Sequence, residues 1–208
     1  MPKQILQQNS TPQIPRILTL ILPKDITLDH FKIRGIENVY FPKEWIVKLD
    51  KSEHTMVVFD HEINSGVWEF TVKGGNLQNW FGIGIINAKQ TQIPHPYLFN
   101  KQDRNNTVCY VRDTIYIRGL PQDDSGNTEI RSDEQVTAVV DLKSNPPMFY
   151  IVVNNTIQPF CVVNIPDKVQ FMLFFSTKDS VWEFVSLKEL DHGINITRIN
   201  SNKRFNYQ

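Results

Sequence analysis

The chain has 208 residues, of which 40% are hydrophobic and thirteen are phenylalanine, enough apolar side chain for one sizeable core. Lysine plus arginine equals aspartate plus glutamate at 22 each, so the formal net charge is zero. That sets aside a general nucleic-acid binder, which needs a basic surplus to displace phosphate counterions. No run reaches the roughly 18 apolar residues of a membrane helix, and none follows a basic start as in a secretory leader, so a soluble, cytoplasmic protein without a membrane partner is expected.

Residues 1–15 are polar and rich in proline and glutamine, with little to bury, and read as a flexible segment. Residues 16–44 read as an N-terminal extension packing on the main domain. Within it, Arg16 to Leu22 (RILTLIL) forms the first expected strand, stopped by Pro23. Asp25 to Gly35 fits either a short helical turn or an irregular arm. Val39 to Phe41, Trp45 to Leu49 and Thr55 to Phe59 follow as short β-prone runs.

The stretch Ile63 to Asn87 carries the clearest pattern. Trp68, Phe70 and Val72 alternate with Glu69, Thr71 and Lys73, which places the apolar three on one face of a strand. Gly74-Gly75-Asn76 supplies residues suited to a reversal, and Phe81, Ile83 and Ile85 share one face of the returning strand. Gly82 and Gly84 leave its other face nearly bare, so something can pack close there. The expectation is a hairpin at the centre of a β-sandwich.

Ala88 to Thr107 shows no periodicity, and a loop of that length inside a compact domain tends to be functional. Val108 to Arg118 reads as one strand or a tight pair, and Pro121 to Asp133 as an acidic loop. Strands are expected at Val136 to Leu142, Met148 to Val153, Ile157 to Val163, Val169 to Phe175 and Val181 to Leu187. Val169 to Phe175 is apolar on both faces and belongs in the interior. Ile194 to Ile199 is a candidate edge strand within the tail, 191–208. Many short runs separated by Gly, Pro, Asn and Asp give an all-β fold, a two-sheet antiparallel β-sandwich over residues 45–190.

Cys109 and Cys161 lie in apolar runs, which suits buried free thiols in a reducing compartment, with a single disulfide as the alternative. Without a secretion signal, the four glycosylation sequons, at Asn9, Asn105, Asn154 and Asn195, read as products of an asparagine-rich composition. No nucleophile elbow, P-loop, HExxH or CxxC pair is present, and the histidines lack the spacing of a metal pair, so neither an enzyme nor a cofactor is expected. Glu69 and Glu183 each follow a tryptophan on a strand, and an outward charge explains them better than a glycosidase pair. Asp123, Ser125, Asn127, Glu129 and Glu134 fall at calcium-loop offsets, but Thr128 replaces the turn glycine and no helices flank them. Tyr97 and Phe99 stand out as loop aromatics, which either meet a partner at the rim or fold back as anchors.

In order and spacing, Ser65-Gly66, Trp68-Glu69-Phe70, Gly74-Gly75 and Phe81-Gly82-Ile83-Gly84-Ile85 resemble the SPRY domain, a family of interaction modules. Val136 to Asp141 and Phe149 to Asn155 extend the resemblance, which covers about Trp45 to Leu190. Val67 stands where that family usually has tyrosine, and Asn154-Asn155 replaces Asn-Gly. The resemblance implies a concanavalin-like jelly roll. In the branch that recruits short peptides, a tyrosine after the central hairpin and a late tryptophan line the pocket. Tyr97 and Trp182 match those places by order, although Phe184 two residues on also suits Trp182 to the core. Arg112, Asn155 and His61 are the candidate polar contacts from nearby loops.

A module binding a protein or peptide through loops at one end of the sandwich is therefore expected. A lectin-like carbohydrate binder and a structural subunit of a larger assembly are the alternatives.

Overall fold

The computed structural model describes residues 15–26, 39–43, 45–90, 92–93, 95–98, 106–123 and 125–208, the side chains of Phe41 and Arg198 excepted. Phe99 lies outside these residues, as do residues 1–14 and much of the arm expected between Asp25 and Gly35.

The strands are β1 (Ile17–Ile21), β2 (Val39–Lys43), β3 (Ile46–Leu49), β4 (Thr55–Val58), β5 (Val67–Gly75), β6 (Phe81–Asn87), β7 (Thr107–Val111) and β8 (Thr114–Ile117). Then come β9 (Leu120–Pro121), β10 (Gln135–Asp141), β11 (Met148–Val153), β12 (Thr156–Ile157), β13 (Cys161–Val163), β14 (Val169–Phe175), β15 (Val181–Leu190) and β16 (Arg204–Asn206). Among the described residues they form two sheets. The larger runs β16-β13-β11-β10-β5-β15-β3-β2, with β1 added to β15 and β12 to β11; the smaller runs β4-β14-β6-β7-β8-β9. Every pairing is antiparallel except β13 with β16. The fold is the expected all-β sandwich.

The expected central hairpin is not one. β5 pairs with β10 and β15 in the large sheet, whereas β6 pairs with β14 and β7 in the small one. The chain between them is an arch that changes sheets. Asn76 and Asn79 take positive φ, and Leu77 turns inward to be buried in the core. A Cβ on Gly74 would lie 2.2 Å from Leu77 Cδ1, so the glycine makes room for that side chain. Phe70 and Val72 of β5 therefore face Phe81, Ile83 and Ile85 of β6 across the core. Trp68 is only half-buried at the margin, its Nε1 donating to the Ser65 carbonyl at 3.1 Å.

β14 shows why a strand in a sandwich can be apolar on both faces. Val169, Phe171, Leu173 and Phe175 fill the central core, while Met172 and Phe174 join a second cluster on the outer side of the small sheet. Ile93 and Tyr97, from the segment after β6, close over that cluster. Val108 to Arg118 resolves into the tight pair β7–β8. On the large sheet, Ile194, Ile196 and Ile199 cover an outer cluster that includes Val67, Val139 and Tyr150. The candidate edge strand at Ile194 to Ile199 is thus a covering segment, holding a short 3-10 turn at Ile196–Arg198, and the pairing strand is β16 beyond it. Apolar side chains that sit on a sheet face, instead of alternating along its edge, explain the difference.

The close approach expected at Gly84 is to a strand backbone. A Cβ there would sit 2.0 Å from the Val108 carbonyl oxygen and 2.8 Å from Cys109 Cα, atoms that cannot step aside without opening the β6–β7 pairing. Gly84→Ala is expected to cost about 1–3 kcal/mol as an overpacked core position. Gly75→Ala, whose Cβ would meet nothing nearer than 3.5 Å, serves as the control. Thermal melts of both variants check it, and equal melting temperatures would contradict the packing described.

Candidate binding cleft

Four connections meet at one end of the sandwich: the lead into β4, the β5–β6 arch, the β7–β8 turn and the segment between β14 and β15. They frame an open cleft of about 580 Å³. Ser52 and His54 contribute one wall, Asn79 and Trp80 a second, Arg112, Asp113 and Thr114 a third, and Ser176 and Thr177 the last, with Tyr116 on β8 beside them.

Short polar contacts hold these walls in register. Asn79 Nδ2 donates to Thr177 Oγ1 at 3.0 Å, Thr177 Oγ1 donates to the Gln78 carbonyl at 3.1 Å, and Ser176 Oγ donates to the Trp80 carbonyl at 2.9 Å. The Lys178 amide donates to Ser52 Oγ at 3.0 Å, tying the β4 lead to the β14–β15 segment. Asn79, Arg112 and Asp179 take positive φ, which permits the tight corners. Asparagine and aspartate visit that region more readily than most residues because their short polar side chains bond locally. The Arg112 amide is held by the Phe81 carbonyl and its own carbonyl accepts from the Ile130 amide, which fixes the turn on two sides.

Trp80 is 41% exposed, with its ring edge-on to Tyr116 at 6.3 Å between centroids. Phe81 beside it points into the core, so alternation turns Trp80 outward. Arg112 is half-exposed and pairs with Glu129, donating through Nη2 and, at 3.1 Å, through Nε to the same carboxylate oxygen. That carboxylate holds the Arg112 pKa above its ordinary value, and the guanidinium holds Glu129 below its own. The cleft thus offers an indole and phenol platform, a fixed cation, one lining carboxylate in Asp113, and several hydroxyls and an amide. Such a surface can stack on a flat or apolar group while hydrogen-bonding the chain beside it.

Of the six residues expected from sequence, Phe99 lies outside the described residues and the other five do not come together. Arg112 lines the cleft. Tyr97 is 1% exposed and folds back onto the small sheet, its hydroxyl donating to Thr107 Oγ1 at 3.2 Å. Trp182 is fully buried in the central core, donating through Nε1 to the Phe174 carbonyl at 3.2 Å. Both aromatics are internal anchors because sandwich packing outcompetes exposure for rings this large. His61 stands on the β4–β5 connection at the opposite end, its ring 5.0 Å from Trp68 and its pKa lowered chiefly by burial. Asn155 is exposed in the positive-φ turn that leads into β12 and does not line the cleft.

The acidic loop holds a lysine. Lys203 Nζ lies 2.8 Å from Asp123 Oδ2 and from Ser125 Oγ, and it also donates to the Ser125 carbonyl at 2.9 Å. Chiefly through the bond from Lys203 to its carboxylate, the Asp123 pKa is held down at about 2. Among the described residues, no group of three or more His, Cys, Asp or Glu is placed to hold a metal ion. Glu69 is bound to Lys188 at 3.1 Å across β5 and β15, in line with an outward strand charge. Both cysteines are free and buried, and burial raises both thiol pKa values, Cys161 to about 11. No helix among the described residues is long and apolar enough to cross a membrane.

No protein-family model matches the sequence, and no curated protein matches it. Solved structures do match the fold. The SPRY domain of human HERC1 aligns at a TM-score of 0.55 and 9% identity over 81% of this chain and 100% of that one. The PSpry domain of TRIM65 aligns at 0.55 and 12% identity, covering 77% of this chain and 88% of the other. The carbohydrate recognition domain of Emp46p in its metal-free form aligns at 0.51 and 12% identity, covering 82% and 90%. The chain has a SPRY-like, concanavalin-like β-sandwich fold.

Proposed function

We propose that this chain is a non-enzymatic interaction module, and that it binds a protein or peptide segment in the end cleft between Trp80 and Arg112. The observation that carries this reading is an exposed tryptophan held over a cleft whose walls are pinned to one another. A large aromatic on a rigid support loses little entropy on binding, and such residues dominate interface energies. The SPRY-like fold supports the reading at the level of class. Two buried free thiols accord with a reducing, cytoplasmic setting.

Trp80→Ala is expected to weaken binding of a peptide selected from a display library by roughly thirtyfold, the effect of a loss of about 2 kcal/mol at a hot spot. The melting temperature should stay within a few degrees of wild type, because the indole is outside the core. Titration calorimetry and a melt on the same preparation check both, and undiminished affinity would remove Trp80 from the site.

A carbohydrate ligand is the second reading, favoured by the likeness to the Emp46p carbohydrate recognition domain and by an exposed indole that can stack on a sugar ring. Glycan-array binding abolished by the same Trp80→Ala change, with no selected peptide, would establish it in place of the first.

A further inference from the structure

Strands at the margins of a sheet expose unpaired backbone groups, and proteins usually guard them with proline, charge or brevity. Here β2 carries Pro42 and Lys43, β9 is two residues ending in Pro121, and β16 is three residues beginning with Arg204. β1 has none of these, its one irregularity being a bulge between Ile17 and Thr19 where it pairs with β15. It reads Ile17-Leu18-Thr19-Leu20-Ile21, and Ile17, Leu18, Leu20 and the following Leu22 are 52, 53, 49 and 44% exposed. Among the described residues β1 pairs only with β15, and none of them pairs with its second edge.

The sequence of β1 is the same in both directions, and Pro15 and Pro23 stand at equal distances on either side of Thr19. We propose that β1 is a homodimer interface, pairing antiparallel with β1 of a second copy about a two-fold axis through Thr19. In that register Leu18 meets Leu20 of the second copy, Ile17 meets its Ile21, and the two Thr19 residues face each other. Aliphatic cross-strand pairs and threonine pairs are favourable, and no charge is brought opposite a like charge. Arg16 is already engaged by Asp191 at 3.0 Å. The prolines end the pairing symmetrically, because neither can donate to the ladder.

A two-fold contact demands a surface complementary to itself, and a palindromic strand supplies one. Pairing would join two large sheets edge to edge and bury apolar surface that a monomer leaves in water. The clefts stay open, because β1 lies against Leu187 to Leu190 of β15 while the cleft lies beyond Val181 at its other end. The dimer would present two clefts, and a partner with repeated segments would gain avidity.

Sedimentation velocity on the full chain is the test. The wild type is expected to be dimeric at roughly 100 µM and to dissociate on dilution, as a Kd in the micromolar range dictates. The double variant Leu18→Lys/Leu20→Lys, at two exposed positions, should be monomeric at the same concentration with an unchanged circular dichroism spectrum. Thr19→Cys should form a disulfide-linked dimer on mild oxidation, whereas Leu22→Cys, whose register partner is Arg16, should not. A wild type that stays monomeric, a double variant that stays dimeric, or a Thr19→Cys chain that does not cross-link would each overturn the proposal.

Discussion

Trp182→Ala is expected to lower the melting temperature by roughly 10 °C. The side chain is fully buried on β15, edge-on to Phe81 at 6.4 Å, and a Cβ on Gly74 would lie only 3.3 Å from its ring. Truncating a core tryptophan costs about 3–5 kcal/mol, through lost transfer energy and the cavity left behind. A domain of about 200 residues loses some 2–4 °C for each kcal/mol. The variant also strips the Phe174 carbonyl of the bond from Trp182 Nε1. Trp182→Phe keeps most of the packing and loses chiefly that bond, so it should fall between the variant and wild type. Ligand affinity of Trp182→Ala, measured well below its melting transition, should match wild type. Lost affinity with an unchanged melt would mean that the indole reaches a ligand and is not the core anchor described.

How far the sequence disclosed this arrangement follows from what a linear pattern can encode. Alternation at Phe70 and Val72, and again at Phe81, Ile83 and Ile85, marks which side chains turn inward, and all five do. It does not say whether two inward strands lie side by side or face to face. That choice rests on the connection, and Leu77, an apolar residue within an asparagine-rich turn, is the signal for an arch that enters the core. Trp182 and Tyr97 posed a similar ambiguity. Order along the chain matched them to a peptide pocket, but order carries no information about depth. The two-sided apolar run placed β14 in the interior, and its outer face is buried because Ile93 and Tyr97 cover it. Trp80 was legible in principle, since the residue next to inward Phe81 must turn away. The cleft itself was not, because its walls come from four connections separated by up to 125 positions, from Ser52 to Thr177. Only the sheet topology brings them together.

Tyr97→Ala is expected to destabilise the fold by about 3–5 kcal/mol, as for a buried aromatic, and to weaken ligand binding second. The ring packs among Met56, Ile93 and Met172 and lies edge-on to Phe174 at 6.2 Å. Its amide donates to the His54 carbonyl at 2.9 Å, so the segment that carries Tyr97 is bonded directly to a residue lining the cleft. Removing the ring should therefore loosen the covering layer and, through it, the Ser52–His54 wall. Tyr97→Phe separates the two contributions. It retains the ring and the backbone bond and gives up the bond from the hydroxyl to Thr107, worth about 0.5–1.5 kcal/mol. Its affinity should equal wild type while its melting temperature falls slightly. A side chain that contacts the ligand would behave in the opposite order, with Tyr97→Ala losing affinity while its melt stayed in place. Melts and calorimetric titrations of both variants with the same peptide therefore decide whether Tyr97 supports the cleft from beneath or belongs to its surface.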